Sequence, residues 1–476
     1  MISIIIPTHN RADALNDTLE RLFSLSAEAS FDVVVVDNDS SDGTQAVIER
    51  WQKIRPELKS VRESRRAACA ARNTGARNAT GEILLFLDDD VRVEPGSLYR
   101  IRQIFNTYPN CGMVAAQVLP RFESEPPAWA RACQDSYNGW SLYHPGNRPH
   151  LAKGFQEDDY AMGAMHALTR EAFDRAGGYP PDIVIIGTGP SAYRLDIGAG
   201  DTGLSHLVKK LGYQIFYDPS VCGHHLVAAS RFTPQFWRAR MVSEAHYHAV
   251  SKRVFWQMRP AQLLLDRKRV QMEFFKAVRA LEARLQEPPP EGGIYPEEMW
   301  VHYYHAYLCL DRILREFPSF CLYLDRLSRD GSPAGSDPEQ TFPPPYRAFV
   351  ARFFRSPLQP LKSAQELGAY LAAMDLPLRE ECGETEALLS LLHGEGGEPL
   401  GTIREQLLGV RGGGAQLLLG AISRQGLSSG ACSWLMALLA EAGAGAKVAE
   451  FLQAARGQLQ IEQEMSAIAR QAGVPL

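Results

Sequence analysis

The chain contains no CxxC pair: its eight cysteines, Cys69, Cys111, Cys133, Cys222, Cys309, Cys321, Cys382 and Cys432, lie far apart. That spacing suits neither a zinc knuckle nor a small disulfide-stapled domain, and reduced thiols in a cytosol are the simplest reading. A long hydrophobic run is also missing. The apolar stretch over residues 2–6 has no basic segment before it and stops at Pro7, too short for a signal-peptide core or a membrane span. The stretch over residues 416–439 is interrupted by Arg424, Gln425 and several Gly and Ser residues, and an Arg inside a spanning helix is costly. Excess positive charge is lacking too: 50 Lys and Arg against 55 Asp and Glu give a formal net charge of −5, which argues against a basic surface for gripping nucleic acid. These absences lead us to expect a cytoplasmic protein with no transmembrane segment, compatible with peripheral contact at the inner face of the membrane.

What is present is a globular composition, 45% hydrophobic and 22% charged, which excludes disorder as the dominant state. At 476 residues, two or three domains are expected. Residues 2–6 and 31–36 are continuous β-branched runs of the kind buried on both faces of a parallel sheet. Between them, Asn10 or Asp13 can cap a helix bearing Leu15, Leu19, Leu22 and Phe23 at helical spacing. Helices marked by Val47, Ile48 and Trp51 and by residues 67–78 precede a strand at 83–87. Further elements are a helix within 91–108, a strand at 112–118, a loop-rich stretch at 123–149, a helix at 169–176, a Gly-rich segment at 187–203, a helix at 204–211 and a strand at 213–217. Strands alternating with helices predict an α/β fold with a mostly parallel, twisted sheet flanked by helices. Long helices follow to about residue 285, then the Glu287-Pro288-Pro289-Pro290-Glu291-Gly292-Gly293 linker, a second breaker cluster at 330–345, and an α-helical C-terminal region without a fixed repeat. The expected division is an α/β domain over 1–240, a helical extension and linker over 241–290, and a helical domain of unassigned role over 291–476.

Two strands end in acid: Val36 runs into Asp37, and Leu87 into Asp88-Asp89-Asp90. In a parallel α/β sheet, ligands bind beyond the carboxyl ends of the strands. Carboxylates converging there repel unless a positive group joins them. The first strand leads into Pro7-Thr8-His9-Asn10, so neither a dinucleotide glycine fingerprint nor a P-loop is present. An acidic crevice can still hold an anionic diphosphate through a divalent cation, because hard cations take carboxylate and phosphate oxygens together. Taken singly, the acidic triplet reads equally as a solvated turn, and residues 37–43 as an Asx turn capping the next helix.

Together, IIIPTHNRADAL, VVVVDNDSSDGT, AARNTGARNATGEILLFLDDD and GDTGLSHLVKKLGY resemble the ordered motifs of family 2 glycosyltransferases, over roughly residues 1–240. The resemblance implies a GT-A fold and transfer of a sugar from a nucleotide-diphosphate donor (UDP- or dTDP-sugar favoured), with inversion, assisted by Mn2+ or Mg2+. Carried over residue by residue, it sets Pro7, Thr8 and Asn10 against the nucleotide base. Asp37 reads the base with Asp39 beside it, and Arg72 lies close to the nucleotide. Asp88 falls on the ribose side, Asp90 on the metal, and Asp89 between them in support. It gives His225, rather than His224, the place that completes the metal site, ahead of Arg231-Phe232-Thr233. Met165 and His166 depart from the commoner Asn followed by a hydrophobic residue, in a segment that shapes the sugar pocket.

The implied catalytic base is Asp201, since the attacking acceptor hydroxyl must lose its proton to a group within hydrogen-bond reach. The same Asp201-Thr202-Gly203 reads as the N-cap of a helix starting near Leu204, and the two roles are compatible. Gly200 and Gly203 stand where the family commonly has further acids, and Asp196 is a reserve candidate. Gln235-Phe236-Trp237-Arg238 is similar to part of the QxxRW motif of processive synthases, but Ala239 replaces the Trp and their membrane helices are missing, so a non-processive enzyme is expected. His246/His248 and His302/His305 have spacings a metal could use. With no acid or Cys framing them, they read as helix-face residues, and the aromatic run 300–307 reads as packing. The acceptor class stays open among glycan, glycolipid, protein and small molecule. Competing readings are a degenerate transferase serving as a scaffold, motivated by Gly200 and Gly203, and a sugar-1-phosphate nucleotidyltransferase, opposed by the missing phosphate loop.

Overall fold

The computed structural model describes residues 1–25, 30–152, 160–180, 183–186, 193–196, 200–254, 260–288, 290–317, 320, 324, 343–355, 358 and 360–374. They belong to two compact units, one within 1–255 and 317–348, the other within 256–316 and 349–476. The Gly-rich segment lies largely outside the described residues, as do the second breaker cluster and everything after residue 374.

The first unit is built on a mixed sheet. Strands β1 (Ile2–Thr8) and β2 (Phe31–Asp37) are almost wholly buried, as continuous apolar runs require, and pair in parallel. Beside them, β3 (Leu58–Arg62) extends β2 and β4 (Ile83–Leu87) extends β1, both in parallel. Helix α1 (Ala12–Ser24) buries Leu15, Thr18, Leu19, Leu22 and Phe23 at helical spacing. After α2 (Thr44–Ile54), helix α3 (Ala68–Asn78) approaches the sheet closely at Gly75, where a Cβ would stand 2.4 Å from Ile5 Cγ2 and 2.9 Å from Val36 Cγ2.

Beyond β4 come the short β5 (Val91–Val93), α4 (Ser97–Thr107), β6 (Cys111–Phe122), α5 (Ala128–Ser136) and β7 (His150–Leu151). They are followed by β8 (Met165–Thr169), α6 (Arg170–Ala176), the β9 (Ile183–Ile186) and β10 (Tyr193–Asp196) hairpin, α7 (Gly200–Lys210) and β11 (Gln214–Val227). The strand order is β3-β2-β1-β4-β8-β6-β11-β5, with β7 on β11. Strand β8 runs antiparallel to both its neighbours, so the parallel half ends at β4. Helix α8 (Pro234–Val254) closes the first run of this unit, and α11 (Pro344–Val350) belongs to it mainly.

Three local expectations shift. Helix α1 starts behind Arg11 with no side-chain cap, because Asn10 turns to positive φ (51°) and its Oδ1 accepts from Ser41 N at 2.7 Å. Helix α7 starts at Gly200, four residues early, which puts Asp201 in its first turn. Strand β11 passes through Asp218-Pro219, where a register shift absorbs the proline and Arg100 pairs with the buried Asp218 at 2.7 Å.

The second unit contains helices α9 (Pro260–Arg284) and α10 (Pro296–Glu316), the π-helical turn Ala351–Arg355 and α12 (Ala364–Ala372). No helix among the described residues is long and apolar enough to cross a membrane.

Candidate active site

The order β2-β1-β4 reverses chain direction of growth at β1, and the crevice at such a switch point lies beyond the carboxyl ends of β1 and β4. Thr8 ends β1, Asp37 ends β2, and Asp88, Asp89 and Asp90 follow β4. The backbone joins the first two ends: Asn38 N donates to Thr8 O at 2.8 Å. Side chains join the first and third: Thr8 Oγ1 donates to Asp89 Oδ2 at 2.6 Å, and Thr18 Oγ1 to Asp89 O at 2.8 Å. The strand ends thus assemble the acids that the sequence separates.

Asp89 and Asp90 are both buried, yet they are not left to repel each other. Arg11 Nη1 bridges them, 3.1 Å from Asp89 Oδ1 and 2.5 Å from Asp90 Oδ2. Burial pushes the Asp89 carboxyl up to about 7 against the pull of Arg11, with the Asp90 charge adding to the rise. Burial works the same way on Asp90, but the His225 hydrogen bond and charge, with Arg11, outweigh it and hold that carboxyl down to about 2. The site therefore separates a carboxyl that ionises late from one that stays ionised.

His225 reaches Asp90 because β11 pairs antiparallel with β5, setting His225 opposite Val91. Leu226 N donates to Asp90 O at 2.9 Å, and His225 Nε2 lies 3.5 Å from Asp90 Oδ1. His224 faces elsewhere, with Nε2 3.5 Å from Glu94 Oε1. Alternation along a strand explains why only one of the adjacent histidines joins the acids. Arg231 is held down by burial, while the charges of Asp90 and Asp88 act to raise it, so it adds a cation close to this cluster.

Arg72, buried on α3, pairs with Asp88 through Nη2–Oδ1 at 2.6 Å; burial works to lower the guanidinium's ionisation, but the Asp88 charge and hydrogen bond, with the Tyr179 and Cys69 groups, together outweigh it. The same guanidinium lies over the Tyr179 ring, 5.5 Å from its centroid, and Nη2 is 3.5 Å from Gly163 O. Gly163 N in turn donates to Asp201 Oδ2, and Thr202 N donates to Asp201 Oδ1 at 2.9 Å. Burial raises the Asp201 carboxyl above the ordinary carboxylate range, against the Arg72 charge and the backbone donors. The N-cap expected of Asp201 is therefore not formed: α7 begins at Gly200, and the carboxylate lies within its first turn, accepting from Thr202 N and Gly163 N. Asp196 lies at the end of β10, paired with Ile183, and its side chain lies outside the described residues.

On the other flank, Asp37 Oδ1 accepts from Ser40 N at 2.9 Å, three residues on, while the Asx turn leading into α2 is made by Asp42, whose Oδ1 accepts from Thr44 N at 3.0 Å. Asp39 takes positive φ (65°) and pairs with Arg62 at 2.7 Å and Arg66 at 3.0 Å. Pro7 sits opposite Val36 in the β1–β2 register. The predicted residues thus form a continuous rim, from Asn10, Asp37 and Asp39 through Thr8 to the acidic triplet and on to Arg72 and Asp201.

Arg11, Thr18, Gly163 and Tyr179 are additions that sequence reasoning did not single out. Arg11 carried a signal, a base directly after the first strand edge. The other three act through backbone or ring contacts across long separations, and nothing in their local sequence marks that. The His246/His248 pair lies on α8, and the His302/His305 pair on α10 of the second unit. His246 Nε2 lies 2.9 Å from Tyr346 Oη, and His248 Nε2 lies 3.7 Å from Glu244 Oε1. In the second unit, Tyr370 Oη is shared by His302 Nδ1 at 3.2 Å and His305 Nδ1 at 2.7 Å. An acid does frame that pair, Glu298, 3.8 Å from His302 Nε2 and one helical turn before it.

Among the described residues no group of three or more His, Cys, Asp or Glu side chains is placed to hold an ion unaided. Asp90 and His225 offer one carboxylate oxygen and one imidazole nitrogen 3.5 Å apart, and the second imidazole nitrogen, Nδ1, is buried without a hydrogen-bond partner. That donor set suits a divalent cation whose remaining ligands come from a diphosphate and water, and it falls short of a closed, all-protein cage.

Residues 3–177 match the family model described as glycosyl transferase family 2. An uncharacterized glycosyltransferase, YfnE, of Bacillus subtilis is 36% identical over 89 residues, 19% of this chain and 23% of that protein. An uncharacterized glycosyltransferase of Haemophilus influenzae is 32% identical over 114 residues, 24% of this chain and 37% of that protein. The chain thus matches well under half the length of these curated relatives. Among solved structures, a mannosyltransferase of Pyrobaculum calidifontis in complex with GDP-Man and Mn2+ shows 20% identity and a TM-score of 0.37, covering 84% of this chain and 88% of that one.

Proposed function

We propose, on the match of residues 3–177 to the glycosyl transferase family 2 model, that the chain is a metal-dependent, inverting, non-processive glycosyltransferase. Its donor is a nucleoside-diphosphate sugar, UDP- or dTDP-linked, and its acceptor presents a hydroxyl. The observation that carries this reading is the convergence of Thr8, Arg11, Arg72, His225 and three consecutive Asp residues at the sheet's switch point. Asp201 sits on the same rim through Gly163.

In this reading Asn10, Asp37 and Asp39 line the base and ribose side, next to Pro7 and Thr8. Asp88 is held by Arg72 for the ribose, and Asp89 is locked by Thr8 as an internal brace. Asp90 and His225 would hold the Mn2+ or Mg2+ ion, which would supply positive charge against that growing on the departing diphosphate. Arg11 and Arg72 supply positive charge, held by Asp89, Asp90 and Asp88, beside that leaving group. Asp201 accepts the acceptor's hydroxyl proton as that oxygen forms the new bond to the anomeric carbon and the bond to the diphosphate breaks on the opposite face.

A screen of UDP-, dTDP- and GDP-sugars with Mn2+, reading nucleoside diphosphate release by the full chain, tests activity and donor together. Release from none of them defeats the proposal. A second reading, a degenerate transferase serving as a scaffold, draws on Asp201 being engaged by two backbone donors as a structural acid would be. Calorimetry showing no metal-dependent nucleotide binding across the common donors selects it.

A further inference from the structure

His166 departs from its family's commoner residue, and the reading above gives it no task. It is fully buried on β8, stacked on Phe86 with ring centroids 5.5 Å apart. Its Nδ1 lies 2.9 Å from the Met162 carbonyl oxygen, which can only accept, so Nδ1 carries the proton. Burial, with the nearby Arg72 charge, holds the imidazole's ionisation down to about 3, so the ring is neutral and Nε2 is an acceptor. The group at Nε2 is the Tyr179 hydroxyl, in a short hydrogen bond, and Tyr179 must therefore be its donor.

Tyr179 is fixed at its backbone as well. Asn73 clamps it from both sides: Tyr179 N donates to Asn73 Oδ1 at 2.8 Å, and Asn73 Nδ2 donates to Tyr179 O at 2.9 Å. Phe86 meets the Tyr179 ring edge-on at 5.0 Å. The one face so oriented lies under the Arg72 guanidinium, which extends Nη2 to Asp88. Nη2 also lies 3.5 Å from Gly163 O, while Nε is buried without a hydrogen-bond partner among the described residues, so the ring shares with the Nη2 contacts in holding the plane.

We propose that His166 and Tyr179 are positioning residues that set the guanidinium plane of Arg72, and through it Asp88, for the nucleotide diphosphate. The chain of contacts runs Met162 carbonyl, His166, Tyr179 hydroxyl, Tyr179 ring, Arg72, Asp88. A cation over a buried ring resists tilting, because moving off the face loses the attraction to the ring's negative quadrupole. A neutral, single-tautomer histidine anchors the hydroxyl end of the ring, and the edge-on contact with Phe86 sets its rotation about the Cβ–Cγ bond. The proposal rests on the transferase reading for the ligand, but the contacts themselves are independent of it.

The test is a double-mutant cycle on the full chain with UDP–Mn2+ and dTDP–Mn2+ as probes, read by calorimetry. Tyr179→Leu is expected to weaken binding about tenfold, Arg72→Met by a similar factor, and the pair by little more than either alone. Additive losses overturn the proposal, since a residue that merely supports the fold does not act through Arg72. Should Tyr179→Leu fail to fold, Tyr179→Phe keeps the ring but frees it from His166. A loss of about threefold that vanishes in the Arg72→Met background supports the relay, and an additive one overturns it. In ligand-free protein, imidazole 15N shifts should show His166 protonated at Nδ1 alone from pH 5 to 8, and the other tautomer or a charged ring overturns the proposal whatever the protein binds. If the wild type binds neither probe and turns over no donor sugar, the transferase reading fails and takes this role with it. Binding with additive losses removes this role alone.

Discussion

Thr8 and Asp89, at the ends of neighbouring strands, are joined by a 2.6 Å hydrogen bond in which the threonine hydroxyl donates. The carboxyl is buried, so its acceptor oxygen has no water to turn to when the donor is removed. Thr8→Val keeps the shape and deletes the donor, and should lower stability by about 1–3 kcal/mol, measured by urea unfolding. In the proposed reading donor affinity should fall with it, because Asp89 would brace the triplet beside the diphosphate. A variant as stable as the parent would show that Asp89 does not depend on this bond.

In the proposed reading Asp90 and His225 would supply only two ligands to the cation, which would make metal and nucleotide interdependent. Mn2+ alone should bind weakly, and UDP or dTDP should tighten it at least about tenfold, a coupling of roughly 1.4 kcal/mol that is reciprocal by linkage. Asp90→Ala should abolish binding of the metal–nucleotide complex. Tight Mn2+ binding without nucleotide, detected by electron paramagnetic resonance, would contradict a two-ligand site.

The parallel half of the sheet was legible in the sequence because residues 2–6, 31–36 and 83–87 are continuous apolar runs, a pattern that buried parallel strands demand. The acids at strand ends were legible for the same reason, since they stop those runs abruptly. The start of α7 was not. Its first turn is Gly200-Asp201-Thr202-Gly203, weak in intrinsic helix propensity, and tertiary bonds from Gly163 N and to Tyr247 hold it. Strand β11 was cut short in the reading because Asp218-Pro219 looks like a breaker, whereas Arg100 neutralises the acid and a register shift accommodates the proline. The pairing of His225 with Asp90 and the position of Arg11 between two acids depend on strands and loops far apart in sequence. No local pattern encodes them.

Gly163 gives a way to move the proposed base without changing it. A Cβ there would lie 2.9 Å from Asp201 Oδ2 and 3.3 Å from its Cγ. Gly163→Ala should push the carboxyl aside and lower kcat by about tenfold to a hundredfold, because small displacements of a reacting group are costly. Nucleotide binding should change little if Asp201 serves the acceptor, as proposed. An unchanged kcat would mean that the carboxylate's position is immaterial to transfer.

Asp201 itself is tested by charge and by pH. Asp201→Asn keeps an oxygen that can accept a backbone bond but cannot take the acceptor's proton, so donor binding should persist while transfer falls by about a hundredfold or more. Burial raises this carboxyl's folded-state ionisation above the usual range, so the active carboxylate is lost as pH falls through that raised value. The acid limb of kcat against pH should therefore lie above the ordinary aspartate value of about 3.9. Asp201→Glu should keep a limb while shifting it, whereas Asp201→Asn should flatten whatever residual rate remains. An acid limb unchanged in the Asn variant would assign the proton acceptor to another group.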